Sequence, residues 1–286
     1  MNLLPDVMIE KSDEHLALSW VGMTQIQTAL QVKALTVPAQ LDVGVNLLEN
    51  NRGIHMSRLY QLQQTHILNQ KISSLNFQNF LKNCLESQAE ISQSASAQIT
   101  MQWPLTTVSL KSALPGFRLY PVQLIFQLNQ NEFKCWTQFE ILYSSTCPQS
   151  AKVAMEVNRH ENPTGAFDRF LATPHAQRSR ALIRVQINEF TEEQIEKLVL
   201  NSEAALGTPV QTAVKKSDEM EFAKLNAQNL MFCEDAVRKL SVFLRTQKNV
   251  LGFYVLCEHQ ESLHPHNATA VNAYNYSAPA TLQFAK

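Results

Sequence analysis

Glycine and charge are both scarce in this chain. Of 286 residues only 7 are glycine, and charged residues make up 17%; an ordinary domain has about 7% glycine and about 25% charged residues. Phosphate cradles of the P-loop and dinucleotide kinds are built from glycine-rich loops that let backbone amides approach the anion. Neither G-x-x-x-x-G-K-S/T nor G-x-G-x-x-G occurs here, so any phosphate must be held by side chains. Neither sign of charge is in excess: 24 Lys and Arg face 25 Asp and Glu, for a net charge of −1. That balance argues against a general nucleic-acid binder. Long apolar runs are missing too. Val250–Cys257 is far shorter than the roughly 18 residues of a membrane span. Asp6 and Glu10 stand where a secretory signal would carry basic residues. The five cysteines (84, 135, 147, 233 and 257) are odd in number and have no CxxC spacing. Reduced thiols, a cytoplasmic protein and incidental sequons at Asn267 and Asn275 are therefore expected.

What is present is a regular alternation of element types. Period-two patterns predict strands over 16–33 and 41–48, with Pro38 turning the chain between them. Helical spacing follows over 56–69 and 72–87, then strands over 97–110 and 117–128 separated by the turn dipeptide Pro115-Gly116. Ser92–Ser96 is the one linker-like stretch. The second half repeats the order: strands over 133–143 and 181–188 around an irregular insert, then a helix over 191–205. Thr191-Glu-Glu-Gln194 opens that helix as a capping box. A long helical pattern spans 218–246, and strands cover 250–259 and 269–276. Paired strands flanking paired helices predict an α+β fold with antiparallel sheets, in two modules, 1–132 and 133–286.

Four segments carry chemistry. In Ser144-Ser-Thr-Cys147-Pro148, proline suits the first helical position, which places Cys147 at the N-cap, where the helix terminus favours a thiolate; a lone cysteine is otherwise most often a buried structural one. In Pro174-His175-Ala-Gln-Arg178-Ser-Arg180, His175 is a candidate ligand. The two arginines alternate so that both can face one phosphate, or else simply solvate a strand edge. Asp218, Glu219 and Glu221 sit early in a helix, which needs no function. Glu234, among Leu230, Met231, Phe232, Cys233 and Val237, is a carboxylate in apolar company. Such a group requires donors, and guanine offers its N1–H and exocyclic amine side by side. Finally, Cys257-Glu-His259-Gln-Glu261-Ser-Leu-His264-Pro-His266 gathers three histidines and two glutamates at a strand end, with His264 and His266 on one face.

Taken in order, these segments resemble the type IB family of GTP cyclohydrolase I. The resemblance is carried by Val21-Gly-Met-Thr24, Arg52-Gly-Ile-His-Met-Ser-Arg58, Ser144–Ser150, Pro174–Ser179, Leu225–Asp235 and Glu261–Ala268. It implies two tandem tunnelling-fold modules (ββααββ), a homotetramer, and conversion of GTP and water to 7,8-dihydroneopterin triphosphate and formate, the first step towards tetrahydrofolate. It further implies a divalent metal (Zn, Mn or Fe) held by Cys147, His175, Glu219 and His264, with Asp218 and Glu221 competing for the Glu219 place. Glu234 would anchor the guanine, and Cys147, Glu261 and His264 would stand at the chemistry. Arg178, Arg180 and Lys216, with Arg58 and Lys215, are candidates for the triphosphate; Lys216 stands where an arginine is expected and lacks its planar fork. A nitrile-reductase-like relative using a Cys nucleophile, which resembles this chain around Glu261-Ser-Leu, expects lysine at the place of His264; a non-catalytic purine-binding protein is the other alternative. If Glu219 and Glu234 share one continuous helix they are about 22 Å apart. That separation predicts sites between subunits, with the two carboxylates from different chains.

Overall fold

The alternation in the first segments produces a long hairpin of β1 (Leu18–Val32) and β2 (Leu35–Leu47). The computed structural model describes residues 10–161 and 171–279; Asp6 lies outside them. Pro38 is not the turn. It sits inside β2 opposite Ala29, and the β2–β4 pairing begins only at Ala39, so its missing N–H leaves no ladder bond unmade. Helices α1 (Met56–His66) and α2 (Ser74–Ser87) follow, separated by the two-residue strand β3 (Gln70–Lys71). Ser73 caps α2 by accepting the Asn76 N–H at 3.2 Å. Next come β4 (Ser94–Val108) and β5 (Pro115–Asn129). The turn joining them is closed by Ser109 N–H donating to the Leu114 carbonyl at 3.0 Å. Pro115-Gly116 thus opens β5 rather than turning the chain, and Ser94–Ser96 belong to β4.

In the second half β6 (Glu132–Thr146) leads into α3 (Pro148–Glu161), which starts at Pro148 as its sequence context predicts and occupies much of the segment otherwise read as an irregular insert. Then come β7 (Ala176–Ile187), α4 (Glu192–Leu206), α5 (Lys216–Gln228), α6 (Cys233–Arg245), β8 (Val250–His259) and β9 (Ala268–Tyr274). The expected capping box at Thr191 is formed in both directions. The helical pattern over 218–246 is two helices. The chain leaves the helix at Asn229–Phe232, where the Met231 N–H donates to the Thr146 carbonyl and Asp235 caps α6 through the Phe232 N–H. The premise of a 22 Å separation along one helix therefore fails.

The strands form one nine-stranded sheet in the order β3-β1-β2-β4-β5-β6-β7-β8-β9, antiparallel except for β1 with β3. The fold is mixed α+β, with six helices among the described residues. Apolar residues of α1, α2, α4 and α6, such as Leu59, Phe77, Ile195 and Leu240, join alternate strand residues in one buried core. The opposite sheet face is polar. Gln27, Gln40, Thr100, Gln123, Gln138, Arg184 and Tyr254 stand directly opposite one another from β1 to β8. The β5–β6 pairing stops at Val122 and Phe139, and the sheet forks there. Residues after α4 enter the fork, with Thr208 accepting the Ser144 N–H at 2.9 Å and donating its hydroxyl to the Ser144 carbonyl at 2.6 Å. Beside them the buried Glu203 carboxylate meets Arg118 at 3.0 Å and the Tyr120 hydroxyl at 3.1 Å, partners that a buried charge requires.

Candidate active site

Three strand ends lie side by side on the helix-covered face: the end of β6, the start of β7 and the end of β8. Register pairs Thr146 with Ala176 and Ser179 with His259. Alternation then turns Tyr143 and Ser145, Gln177 and Ser179, and Cys257 and His259 towards the same space. Cys147 follows β6 at the position before α3, as its sequence context predicts, and the Ser150 N–H points at its sulfur at 3.5 Å. All five cysteines are free thiols, and Cys147 alone is not buried. Burial pushes the other thiols up, Cys84, Cys135 and Cys257 to about 12 and Cys233 to about 11.

His175 is tied to this cysteine through the backbone, its carbonyl accepting the Cys147 N–H at 3.3 Å, while its own N–H donates to Ser150 Oγ at 3.1 Å. The ring nitrogen Nδ1 lies 3.2 Å from Gln177 Oε1 and 3.4 Å from Glu261 Oε2. Both neighbours are acceptors, so Nδ1 carries the proton, which leaves Nε2 as the nitrogen with a free lone pair. Gln177 also donates to Ser145 Oγ at 2.9 Å and to Glu261 Oε1 at 3.4 Å, and Ser145 bonds Ser179 at 2.7 Å. The His175 and Glu261 side chains thus meet, with Cys147 tied to His175 through the backbone. A fixed imidazole beside a carboxylate can move a proton.

The other expected residues are not gathered there by this chain. Glu219 is exposed on α5 and makes no side-chain hydrogen bond or ion pair among the described residues. Its competitors are occupied. Asp218 is buried and accepts from the N–H groups of Lys111, Ser112 and Lys215 and from the Ser112 hydroxyl, which hold its carboxyl far below the usual range. Glu221 pairs with Lys111 and Lys224. His264 is exposed in the loop between β8 and β9, stacked on His266 with ring centroids 5.1 Å apart. No group of three metal-ligating side chains forms among the described residues.

Glu234 is exposed rather than buried, because the break before α6 places it in that helix's first turn. Its own backbone N–H and the Cys233 thiol, 3.3 Å away, hold its carboxyl below the ordinary value. Arg180 is committed to Glu140 at 2.9 Å and Glu258 at 3.1 Å, and is not free for phosphate. Arg178 is exposed on the same side of β7, the side away from Gln177 and Ser179; Lys216 is exposed at the start of α5. Sequence reasoning gave no separate place to Tyr143, Ser145, Gln177, Ser179 and His259, which are buried beside His175 and Glu261. A signal was available in the polar residues spaced by two at 143-145-147, 175-177-179 and 257-259-261.

Comparison with known proteins places this chain in a family. The model described as type I GTP cyclohydrolase folE2 matches residues 4–270. GTP cyclohydrolase FolE2 of Citrobacter koseri is 40% identical over 290 residues, covering 94% of this chain and 96% of its own. That of Pseudomonas putida is 36% identical, covering 96% of each. Among solved structures, a hyper-thermostable AgUricase mutant superposes with a TM-score of 0.51 at 8% identity over 94% of this chain and 96% of its own, a likeness of fold alone. With the match running from end to end of the three converging strands, the chain belongs to the FolE2 family of type I GTP cyclohydrolases.

Proposed function

We propose that this chain is a GTP cyclohydrolase that opens the guanine imidazole ring of GTP with water, giving 7,8-dihydroneopterin triphosphate and formate. What supports the residue assignment is the contact of His175 with Glu261 and the backbone bond that ties Cys147 to His175. Cys147, His175, Glu219 and His264 would hold a divalent metal, Zn, Mn or Fe. The fit rests on His175, whose Nδ1 is engaged by Glu261 and Gln177 as in carboxylate–histidine–metal arrangements, and on a thiolate, imidazole and carboxylate donor set. Such an ion, when bound, lowers the pKa of a water and orients it.

The protein's own groups do the rest. Glu261, hydrogen-bonded to Gln177 and facing His175, is placed to carry a proton to the purine N7 or to the departing formate. Glu234, kept ionised at its helix terminus, accepts from the guanine N1–H and amine. Exposed Lys216 meets the triphosphate, and Arg178, on the sheet face away from Gln177, joins it from a neighbouring subunit; Arg180 is assigned instead to the Glu140–Glu258 pair. Glu219 and His264, exposed on one subunit, complete the site at an interface with a second copy in a homotetramer. The halves 1–132 and 133–286 are read as tandem tunnelling-fold modules, supported by their similar element order and by the polar row on the helix-free face. No helix among the described residues is long and apolar enough to cross a membrane, and the site is proposed to work in the cytoplasm.

Chelated protein incubated with GTP and one metal at a time, followed by formate and pterin fluorescence, tests the reading. Formate release that survives chelation sinks the metal assignment; no release with any metal sinks the activity. Mixing Glu219→Gln with Glu234→Gln protein tests the shared site. Partial recovery is expected if the two carboxylates come from different chains, and none if they come from one.

A further inference from the structure

Behind Glu261 runs a buried string of polar groups that the proposed chemistry does not use. Tyr143 on β6 is 0% exposed and His259 on β8 is 2% exposed. The Tyr143 hydroxyl lies 3.0 Å from His259 Nε2, with the two rings edge to face at 5.7 Å. On its other side His259 Nδ1 lies 3.9 Å from Glu261 Oε1, while Glu261 Oε2 faces His175. Burial lowers the His259 ring to about 4 and pushes the Tyr143 phenol up, so near neutrality the ring is uncharged and the phenol keeps its proton. An uncharged imidazole has one donor and one acceptor nitrogen. A lone pair on Nδ1 facing the Glu261 carboxylate is repulsive, whereas the Tyr143 hydroxyl, which also lies beside the Cys257 thiol, faces Nε2 as a donor. Both neighbours therefore select the tautomer with its proton on Nδ1, aimed at Glu261.

We propose that His259 is a positioning residue. Its Nδ1–H dipole, fixed by the Tyr143 hydroxyl at Nε2, acts electrostatically across 3.9 Å to favour the Glu261 carboxylate in the place where it meets Gln177 and His175. The inference rests on the reading of Glu261 as the proton carrier in ring opening. A ring kept only to fill the core would show no preference between polar replacements of similar size, and this preference is measurable.

The test uses three substitutions in the metal-loaded full-length protein. In His259→Asn the amide nitrogen reaches the place of Nδ1; in His259→Gln the polar end reaches only the place of Nε2; His259→Phe keeps the ring and loses both. The asparagine variant is expected to keep most of kcat. The glutamine and phenylalanine variants lose about 10- to 100-fold in kcat, the range for support of a site residue through a neighbour, with KM for GTP nearly unchanged. Tyr143→Phe falls between them. Equal kcat in the asparagine and glutamine variants, or losses that follow the melting temperature alone, overturn the proposal. Glu261→Gln separates the two levels: if it is fully active, the reading of Glu261 fails and this inference with it. If it is inactive while His259→Gln is normal, this inference fails alone.

Discussion

The two halves of the sheet use similar elements but fill the space beneath their helices differently. Under α2 the core is aromatic. Phe77 stacks on Phe126 with centroids 4.1 Å apart and planes within 10°, and Phe190 packs on both. Buried polar groups there pair with one another. Gln88 accepts from the His55 N–H and donates to the His55 carbonyl, and Thr28 donates to Gln63. At the ends of β6, β7 and β8 the corresponding space holds a hydrogen-bonded pair, Tyr143 and His259, and a chain of Ser179, Ser145 and Gln177 that reaches the Glu261 carboxylate. Apolar packing stabilises through area removed from water, whereas a satisfied polar network contributes less and mainly fixes geometry. The first half thus supplies rigidity and the second places reactive groups.

That contrast can be broken by substitution. Cys147→Ala should abolish turnover, a loss on the order of 10³-fold or more for a group at the reacting centre, while the melting temperature stays put because the thiol is half-buried. A large fall in melting temperature would move Cys147 to the structural side. Phe77→Ala should do the reverse, costing about 3–5 kcal/mol in urea unfolding with unchanged kcat for the folded fraction.

Acid separates the halves further. The value of about 4 for His259 lies below the ordinary 6.5, so the folded state prefers the neutral ring. The stability this confers is complete above about pH 6.5 and is lost as pH falls through about 4, up to about 3 kcal/mol. Urea midpoints between pH 7 and 4.5 should fall more steeply for Phe77→Ala than for His259→Gln; parallel slopes would refute the assignment. Glu234→Gln removes a charged acceptor worth about 1.5–3 kcal/mol, so kcat/KM for GTP should drop roughly 10- to 100-fold with little change in stability. The smallest effect is expected from Thr191→Ala, which removes one side of the α4 capping box at a cost of about 1 kcal/mol and leaves kinetics untouched.

Much of this molecule was legible in its residues. Cys147-Pro148 announced a helix start with a thiol at its mouth, and Thr191–Gln194 announced another, because caps are local in sequence. Pro38 and Pro115 misled for a nonlocal reason: whether a strand tolerates proline depends on which ladder bonds its neighbours require. The helix break at Asn229–Phe232 was hidden because both flanks keep helical spacing. What ends the first helix includes the Thr146 carbonyl, far away in sequence, to which Met231 is bonded. Arg180 looked free for phosphate until β6 and β8 brought Glu140 and Glu258 beside it.

By itself the sequence determined most strands and helices and the exclusion of glycine-built phosphate loops, and it nominated side chains for the chemistry. Periodicity, capping and composition act over a few residues. The tertiary structure decided which of those side chains meet. His175 meets Glu261, and Cys147 is tied to His175 through the backbone, because three strands align their ends; Glu219, His264 and Glu234 face outward because α5, the β8–β9 loop and α6 turn them there. Strand register and chain breaks depend on contacts between distant segments, which no local pattern encodes.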